Sequence, residues 1–191
     1  MANKQNVSKS ATPDRKYRKF IGPSQISTAL GVDEYQSAED LKKEIEEGYI
    51  PYDTYATTHG KTHESIALYY YQKLHKVKIS PAKFTVDTIN KRIGGIGDGL
   101  INSDVGIEIK CHVSEKNLLR KLPLKYLIQM AGYMYLYKRK KWVLMSCAFN
   151  KDHTLSKYKI FEVTWDEVKD SWEKEWYPEL ITYINSISWK T

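Results

Sequence analysis

The sequence lacks the features that would assign it to a membrane or to a secreted protein. No apolar run approaches the roughly 20 residues that a membrane-spanning helix requires, and the N-terminal stretch has no apolar middle section of the kind found in signal peptides. Only two cysteines are present, Cys111 and Cys147, which are too few for a disulfide framework or for a four-cysteine metal or iron–sulfur site. We therefore predict an intracellular protein whose two cysteines are reduced and lie in buried strands.

Acidic residues are in the minority. The 30 Lys and Arg residues outnumber the 23 Asp and Glu residues and give a net charge of +7. A basic surface favours an anionic partner such as DNA or RNA, although many basic proteins bind no nucleic acid. The 15 tyrosines and five tryptophans add surfaces on which bases could stack, but most of them are explained more simply as residues of the core and its boundary.

The N-terminal part of the chain predicts a tail and two short helices. Residues 1–14 are polar and show no hydrophobic period, which predicts a disordered tail and leaves a single domain over residues 15–191. Two helical segments follow, SQISTAL and AEDLKKEIEEG. Their predicted capping and terminating residues are Ser24 with Gly31 and Ser37 with Gly48.

Hydrophobic periodicity predicts the order of the elements that follow. A helix from about residue 60 to residue 74 would carry Glu64 near its start. β-Branched runs between residues 77 and 111 predict an antiparallel meander of three or four strands. Pro123 begins a further helix, after which two more strands are expected.

The last helix is predicted from its start signal and its apolar stripe. Thr164 and Glu167 have the spacing of a capping box, and Pro178 is predicted to kink the helix. The order of helices, strands, helix, strands and helix predicts an α+β or mixed α/β fold, with a central mixed sheet flanked by helices.

The segment IGDGLINSDVGIEIKC carries acidic side chains and a lysine in a pattern that can perform chemistry. Glu108 and Lys110 are two apart in a predicted strand, so both project to one face, while Ile107 and Ile109 point to the other. Asp98 lies in a Gly-Asp-Gly corner before this strand, where a hairpin can fold it back beside Glu108. Two carboxylates and a lysine therefore converge.

Such a group of side chains fits a hard cation. Mg²⁺ and Mn²⁺ take oxygen ligands, so Asp98, Glu108 and the backbone carbonyl of Ile109 form a candidate cage with positions left for water and phosphate. Lys110 can hold or activate the attacking water and can offset developing negative charge. A bare Glu-x-Lys pair is more simply an exposed strand face, and Asp98 by itself is a turn aspartate. The combination with further polar residues in one fixed order favours the catalytic interpretation.

These motifs resemble the λ-exonuclease and YqaJ-like viral recombinase family of the PD-(D/E)XK nucleases over residues 18–150. The resemblance implies a restriction-endonuclease-like core and Mg²⁺-dependent digestion of one strand of duplex DNA from its 5′ end, with Mn²⁺ as a substitute. The reaction would serve recombination, repair or replication by leaving a 3′ overhang for single-strand annealing. The matching residues are Arg18, Gly22-Pro23-Ser24, the helical Glu64, Asp98, Glu108, Lys110 and Gln129 with Tyr133.

The resemblance also implies roles for these residues. It assigns catalysis to Glu64, Asp98, Glu108 and Lys110, metal binding to Glu64, Asp98 and Glu108 together with Ile109, and contacts with DNA or its phosphates to Arg18, Ser24, Gln129 and Tyr133. The implied partners are double-stranded DNA with 5′-phosphate ends, a single-strand annealing protein and further copies of the chain. For a viral protein, the implied location is the cytoplasm or nucleus of the host cell.

Two alternatives stay open. A structure-specific or restriction-type endonuclease of the same fold would cut closed circular DNA as well as linear DNA, and a non-catalytic DNA-binding recombination module would show no metal-dependent cleavage. His59 and His63 are four apart and could share a helical face, but the pattern His-Glu-x-x-His and a third ligand are both missing, so we do not predict a zinc site.

Overall fold

A computed structural model describes residues 19–48 and 54–190. The predicted tail over residues 1–14 and the candidate phosphate-binding Arg18 lie outside these ranges. None of the helices in the described ranges combines the length and the hydrophobicity that crossing a membrane requires.

The described elements follow the predicted order of helices and strands. The helices are α1 (Pro23–Ala29), α2 (Ala38–Glu47), α3 (Tyr55–His75), α4 (Leu124–Tyr137), α5 (Trp165–Ser171) and α6 (Tyr177–Asn185). The strands are β1 (Thr85–Val86), β2 (Gly94–Gly95), β3 (Gly99–Leu100), β4 (Val105–His112), β5 (Lys141–Phe149) and β6 (Leu155–Thr164). A short 3₁₀ turn, Glu115–Asn117, precedes α4, and a π-helical turn, Trp172–Trp176, joins α5 to α6.

The main sheet has four strands in the order β3-β4-β5-β6. Strands β4 and β5 are parallel, with Glu108 opposite Leu144 and Lys110 opposite Ser146, whereas the other two pairs are antiparallel. The crossover between the parallel strands contains α4, because parallel neighbours need a long connection that is usually helical. The prediction of a central mixed sheet flanked by helices is confirmed. Strand β6 forms one edge of this sheet, and its residues Lys157 and Lys159 are exposed.

The predicted antiparallel meander over residues 77–111 is only partly correct. Strands β1 and β2 form a separate antiparallel two-stranded sheet, whereas β3 pairs antiparallel with β4 in the main sheet. The chain near β2 is bound to the segment before α1, since Ile21 donates to the Arg92 carbonyl and Gly94 donates to the Ile21 carbonyl. A β-carbon at Gly95 would lie 2.5 Å from Pro23 Cδ, so close packing against α1 holds β2 there.

Two predicted helix starts are also wrong. Helix α3 begins at Tyr55 behind the N-cap Thr54, which places Glu64 in the middle of a 21-residue helix rather than near its start. Gly60, near the predicted start, lies inside the helix. In α1 the N-cap is Gly22, whose N–H donates to the side chain of Gln25, and Ser24 is an exposed residue of the first turn.

Other local signals give the expected structure. Ser37 caps α2 and Gly48 ends it in a left-handed conformation. Thr164 and Glu167 form the capping box of α5. The irregularity expected at Pro178 is the π-helical turn directly before α6, which accommodates the missing proline N–H.

Two hydrophobic clusters cover the two faces of the sheet. On one face, Ala67 and Tyr71 of α3 pack with Ile107 and Ile109 of β4 and with alternate residues of β5. On the other face, α1, α4, α5 and α6 pack against Trp142, Leu144 and Val163. Glu108 is paired with Leu144, so its side chain belongs to the face that α4 covers.

The two cysteines lie on the parallel strands β4 and β5. Both are free thiols, and their sulfur atoms are 3.6 Å apart. Cys147 is buried, as predicted, whereas Cys111 is only partly buried.

Candidate active site

A cleft of about 530 Å³ opens between α3, α4 and β4. It is lined by Glu64, Asp98, Glu108, Ile109, Lys110, Gln129 and Ser24, together with further residues of α1, α4 and the loop before α2. The structure therefore brings into one cleft most of the residues selected from the sequence, although they come from four distant segments.

Glu108 lies at the centre of this cleft and is only 3% exposed. Its Oε1 atom accepts hydrogen bonds from Lys110 Nζ at 2.7 Å and from Gln129 Nε2 at 2.7 Å. Its Oε2 atom is buried and has no hydrogen-bond partner among the described residues. A buried carboxylate oxygen without a partner is costly, so this atom is available for a cation.

Asp98 is placed by the shortness of β3. Because β3 pairs with β4 only as far as Ile107, the N–H of Ile109 has no strand partner on that edge, and it donates to Asp98 Oδ2 at 2.6 Å. The glycines around Asp98 permit this approach. A β-carbon at Gly97 would lie 2.9 Å from Trp142, and one at Gly99 would lie 2.4 Å from Ile79.

The carboxylates of the cleft repel one another. Burial, followed by the charges of Glu108 and Glu64, raises the pKa of Asp98 to about 8. Burial and the charge of Glu108 also raise the pKa of Glu64. Burial acts to lower the pKa of Lys110, but the adjacent Glu108 outweighs it and the pKa is raised. The lysine is therefore an ammonium ion, and its one charge faces three acidic side chains.

The donor atoms fit a hard divalent cation. Within the described ranges, no three His, Cys, Asp or Glu side chains form a metal-binding group by themselves. Asp98 and Glu108 both lie near Ile109. Because the N–H and C=O of one strand residue point to the same edge, the Ile109 carbonyl lies on the Asp98 side of β4. Mg²⁺ suits such a partial oxygen set because it usually retains several water ligands.

The residues expected to contact DNA are spread over two neighbouring pockets. Ser24 lines both the cleft and a smaller pocket of about 200 Å³. Gln129 is 3% exposed and holds Glu108. Tyr133 lines the smaller pocket, where its hydroxyl donates to the Ile96 carbonyl and its ring stacks on Trp142. Contacts of these residues with DNA stay predictions, as does the role of Arg18.

Three residues that line the cleft, Lys125, Tyr126 and Tyr35, were not predicted from the sequence. Lys125 and Tyr126 precede Gln129 by four and three residues on α4, and helical spacing could have placed them on the same face. The ring centroid of Tyr126 is 5.2 Å from Lys110 Nζ. Tyr35 also lines the cleft, but no motif marks it, because it belongs to an irregular loop.

The histidines near Glu64 are connected by hydrogen bonds. His63 Nδ1 is 2.9 Å from the His59 carbonyl oxygen, and His63 Nε2 is 2.9 Å from His153 Nδ1. The His63 ring also stacks on Phe149. These contacts attach α3 to the end of β5 and thereby fix the backbone that carries Glu64.

Comparison with known proteins relates this geometry to characterised families. A family model described as a YqaJ-like viral recombinase domain matches residues 14–139. No curated protein sequence matches the chain.

Solved structures show the fold at low sequence identity. The crystal structure of an alkaline exonuclease, LHK-Exo from Laribacter hongkongensis, aligns with a TM-score of 0.70 at 18% identity over 88% of each chain. The same exonuclease in complex with dAMP aligns with a TM-score of 0.71 at 18% identity, over 90% of this chain and 89% of that one. A phage related exonuclease from Haemophilus somnus 129PT gives a TM-score of 0.63 at 15% identity, over 87% of this chain and 94% of that one.

Proposed function

Since the chain belongs to the family of YqaJ-like viral recombinase domains, we propose that it is a DNA exonuclease that hydrolyses phosphodiester bonds at the ends of duplex DNA. The matched range includes the residues of the cleft from Ser24 to Gln129. Two proteins with the same fold, an alkaline exonuclease and a phage related exonuclease, support this reaction class. The finer proposal is Mg²⁺-dependent digestion of one strand from its 5′ end.

The unequal surroundings of the two Glu108 oxygens carry the proposal. Lys110 and Gln129 satisfy one oxygen, while the other is buried without a partner among the described residues, in a cleft that also holds the carboxyl groups of Asp98 and Glu64. An ion pair that only stabilised the fold would be expected to satisfy both oxygens. A divalent cation bound there would offset the excess negative charge and would allow an anionic phosphate to approach.

Asp98, Glu108 and the Ile109 carbonyl would hold the Mg²⁺. Glu64 lies close enough for its charge, like that of Glu108, to raise the pKa of Asp98. When bound, the ion polarises the scissile phosphate and lowers the pKa of a coordinated water. Mn²⁺ prefers the same oxygen ligands and would substitute.

The side chains around the ion would orient the reactants. Gln129 and Lys110 hold Glu108 in one rotamer, and the Ile109 N–H holds Asp98. The ammonium group of Lys110 would offset negative charge on the phosphate as water attacks in line with the departing 3′-oxygen. The product strand with a free 3′ end would be the substrate of a single-strand annealing protein, and assembly of several copies around the DNA is part of the same proposal.

Cleavage of matched linear and closed circular duplexes tests the proposal. We expect the wild-type protein to degrade end-labelled linear DNA in Mg²⁺, to leave the closed circle intact and to be inactive with EDTA. The variant Glu108→Gln should lose activity by about 100-fold or more while it stays folded. Equal cleavage of the circle would establish an endonuclease. DNA binding without cleavage in any divalent cation would establish a non-catalytic module.

A further inference from the structure

Tyr35 lies at the mouth of the cleft with 84% of its surface exposed, more than any other large apolar side chain in the described ranges. It belongs to the loop between α1 and α2. A large aromatic ring gains little from such exposure in the free protein, whereas a ring beside a nucleic-acid cleft can stack on a base.

The backbone that carries Tyr35 is fixed on both sides. The N–H of Tyr35 donates to Asp33 Oδ1 at 2.8 Å, and the side chain of the next residue, Gln36, donates to Glu44 Oε1 at 2.8 Å. Ser37 then caps α2. The ring is therefore presented from a preorganised loop, which lowers the entropic cost of binding a ligand.

Lys125 connects Tyr35 to the centre of the cleft. Its ammonium group is 4.3 Å from the Tyr35 ring centroid, 5.5 Å from the Tyr126 ring centroid and 3.3 Å from Glu34 Oε1. The Lys125 side chain is only 15% exposed. Because the Tyr126 ring also lies beside Lys110, cations and rings alternate from the mouth of the cleft to its charged centre.

We propose that Tyr35 is a stacking platform, and Lys125 a phosphate contact, for one unpaired nucleotide of the DNA strand that enters the cleft. The proposal rests on the exonuclease function proposed above. A basic group beside an exposed ring in a groove is the arrangement that binds single-stranded nucleic acid without reading its sequence. Lys125 lies one helical turn, about 6 Å along the axis, before Gln129, so it can reach the nucleotide next to the reacting phosphate.

The platform would select the state of the DNA end. Inside a duplex, both faces of each base are covered by their neighbours, so Tyr35 can stack only on a terminal or an unpaired base. Ends with an unpaired 5′ nucleotide should therefore bind more tightly than blunt ends. The substrate class recognised at this subsite is an unpaired nucleotide of any base.

The chain offers a matched control for this pair. Lys73 Nζ lies 5.5 Å from the ring centroid of Tyr69 on α3, and Tyr69 is 53% exposed. Neither residue lines the cleft. The variant Tyr69→Ala removes the same kind of cation–ring contact away from the proposed subsite.

Fluorescence of 2-aminopurine tests the platform without cleavage. A 5′-phosphorylated single-stranded octanucleotide that carries the probe at one of its first three positions is titrated with protein in EDTA. We expect quenching at one position in the wild type, and Tyr35→Ala should remove it and weaken binding by about 5- to 100-fold. Tyr35→Trp should keep the quenching. Lys125→Ala should weaken binding and reduce the dependence of log K on log salt by about one.

The outcomes separate this proposal from the exonuclease proposal. Quenching that persists in Tyr35→Ala, or an equal loss in Tyr69→Ala, overturns the platform. If the wild-type protein cleaves no DNA in any divalent cation but shows the Tyr35-dependent quenching, the exonuclease proposal fails and the platform proposal stands. If the wild-type protein is active and its KM equals that of Tyr35→Ala, the exonuclease proposal stands and the platform proposal fails.

Discussion

At the scale of single residues, the cleft holds charges that the protein does not balance by itself. Asp98, Glu108 and Glu64 surround the ammonium group of Lys110. The convergence of Asp98, Glu108 and Lys110 was predicted from the alternation of side chains in a strand and from a hairpin at Gly-Asp-Gly, whereas only the family resemblance pointed to Glu64. The hydrogen bond between Gln129 and Glu108 could not be predicted, because it depends on how close α4 lies to the sheet.

Replacing Asp98 by Asn should stabilise the protein in the absence of divalent cations and abolish cleavage. With its pKa raised to about 8, Asp98 carries its charge at pH 9 at a cost in stability. Asparagine removes this charge and keeps an oxygen that can accept from the Ile109 N–H. We expect the free energy of unfolding, measured by urea denaturation at pH 9 in EDTA, to rise by about 1–2 kcal/mol.

Asp104→Asn serves as the control. That carboxylate is half-exposed, lies outside the cleft and pairs with Lys140 at 3.3 Å, so its loss should leave stability nearly unchanged or slightly lower. Unchanged or reduced stability of Asp98→Asn at pH 9 would contradict the repulsion.

At the scale of elements, local signals predicted structure well where the stabilising contact is itself local. Ser37 and Thr164 cap their helices because the partner groups lie three residues away. Helix α3 begins at Tyr55 rather than at about residue 60, because one glycine is tolerated inside a long helix. The separation of β1 and β2 from the main sheet could not be predicted, since contacts with the segment around α1 determine it.

The capping box of α5 should make a pH-dependent contribution to stability. The Glu167 carboxylate accepts hydrogen bonds from the N–H and the hydroxyl of Thr164, which lower its pKa. A carboxyl group with a lowered pKa stabilises the fold above its unfolded-state pKa and loses that contribution as pH falls through the folded-state pKa. Glu167→Ala should therefore reduce the free energy of unfolding by about 0.5–1 kcal/mol at pH 7, with the difference from wild type disappearing below about pH 4.

Chemical denaturation at pH 7 and at pH 3 measures this difference. Glu173→Ala, at an exposed position on the π-helical turn, is the control and should show little change at either pH. A Glu167→Ala effect of equal size at both pH values would show that the carboxylate is not responsible.

The close approach at Gly99 should link stability to activity. An added β-carbon there would lie 2.4 Å from Ile79 Cγ2 and 3.2 Å from Ile107 Cγ2, so Gly99→Ala must displace the strand that follows Asp98. We expect a loss of about 1–3 kcal/mol in the free energy of unfolding and a fall in kcat, measured by denaturation and by DNA cleavage. Gly60→Ala, whose added carbon would meet no atom within 4 Å apart from its chain neighbours and the backbone of its own helix, should instead be stabilising by about 0.5–1 kcal/mol. A neutral Gly99→Ala would contradict the packing argument.

At the scale of the whole molecule, the net charge of +7 and the open cleft agree with an anionic polymer as ligand. The charge predicts that affinity for DNA falls as salt rises, but it says nothing about which end is cut. That choice depends on contacts at the rim of the cleft, where Ser24 is exposed and Arg18 precedes the described residues.

A 5′-phosphorylated duplex should be degraded faster than a 5′-hydroxyl duplex of the same sequence. Charge-assisted hydrogen bonds from Arg18 and Ser24 to the terminal phosphate would position the first phosphodiester, and the expected rate difference is about 10-fold or more. Arg18→Ala should remove most of the difference, and Ser24→Ala part of it, in single-turnover cleavage assays. The 5′-hydroxyl duplex is the internal control, because its rate should change much less. Equal rates on both duplexes with wild-type protein would contradict recognition of the terminal phosphate.

The edge strand β6 has a consequence for how copies of the chain can meet in a concentrated solution. Its outer edge presents backbone groups that could extend the sheet into a second molecule, but Lys157 and Lys159 are exposed along it. Strand pairing between two copies would bring these like charges together, and lysines on an edge strand are a common protection against aggregation. Replacing both lysines by valine should therefore turn this edge into a nucleus for fibril growth.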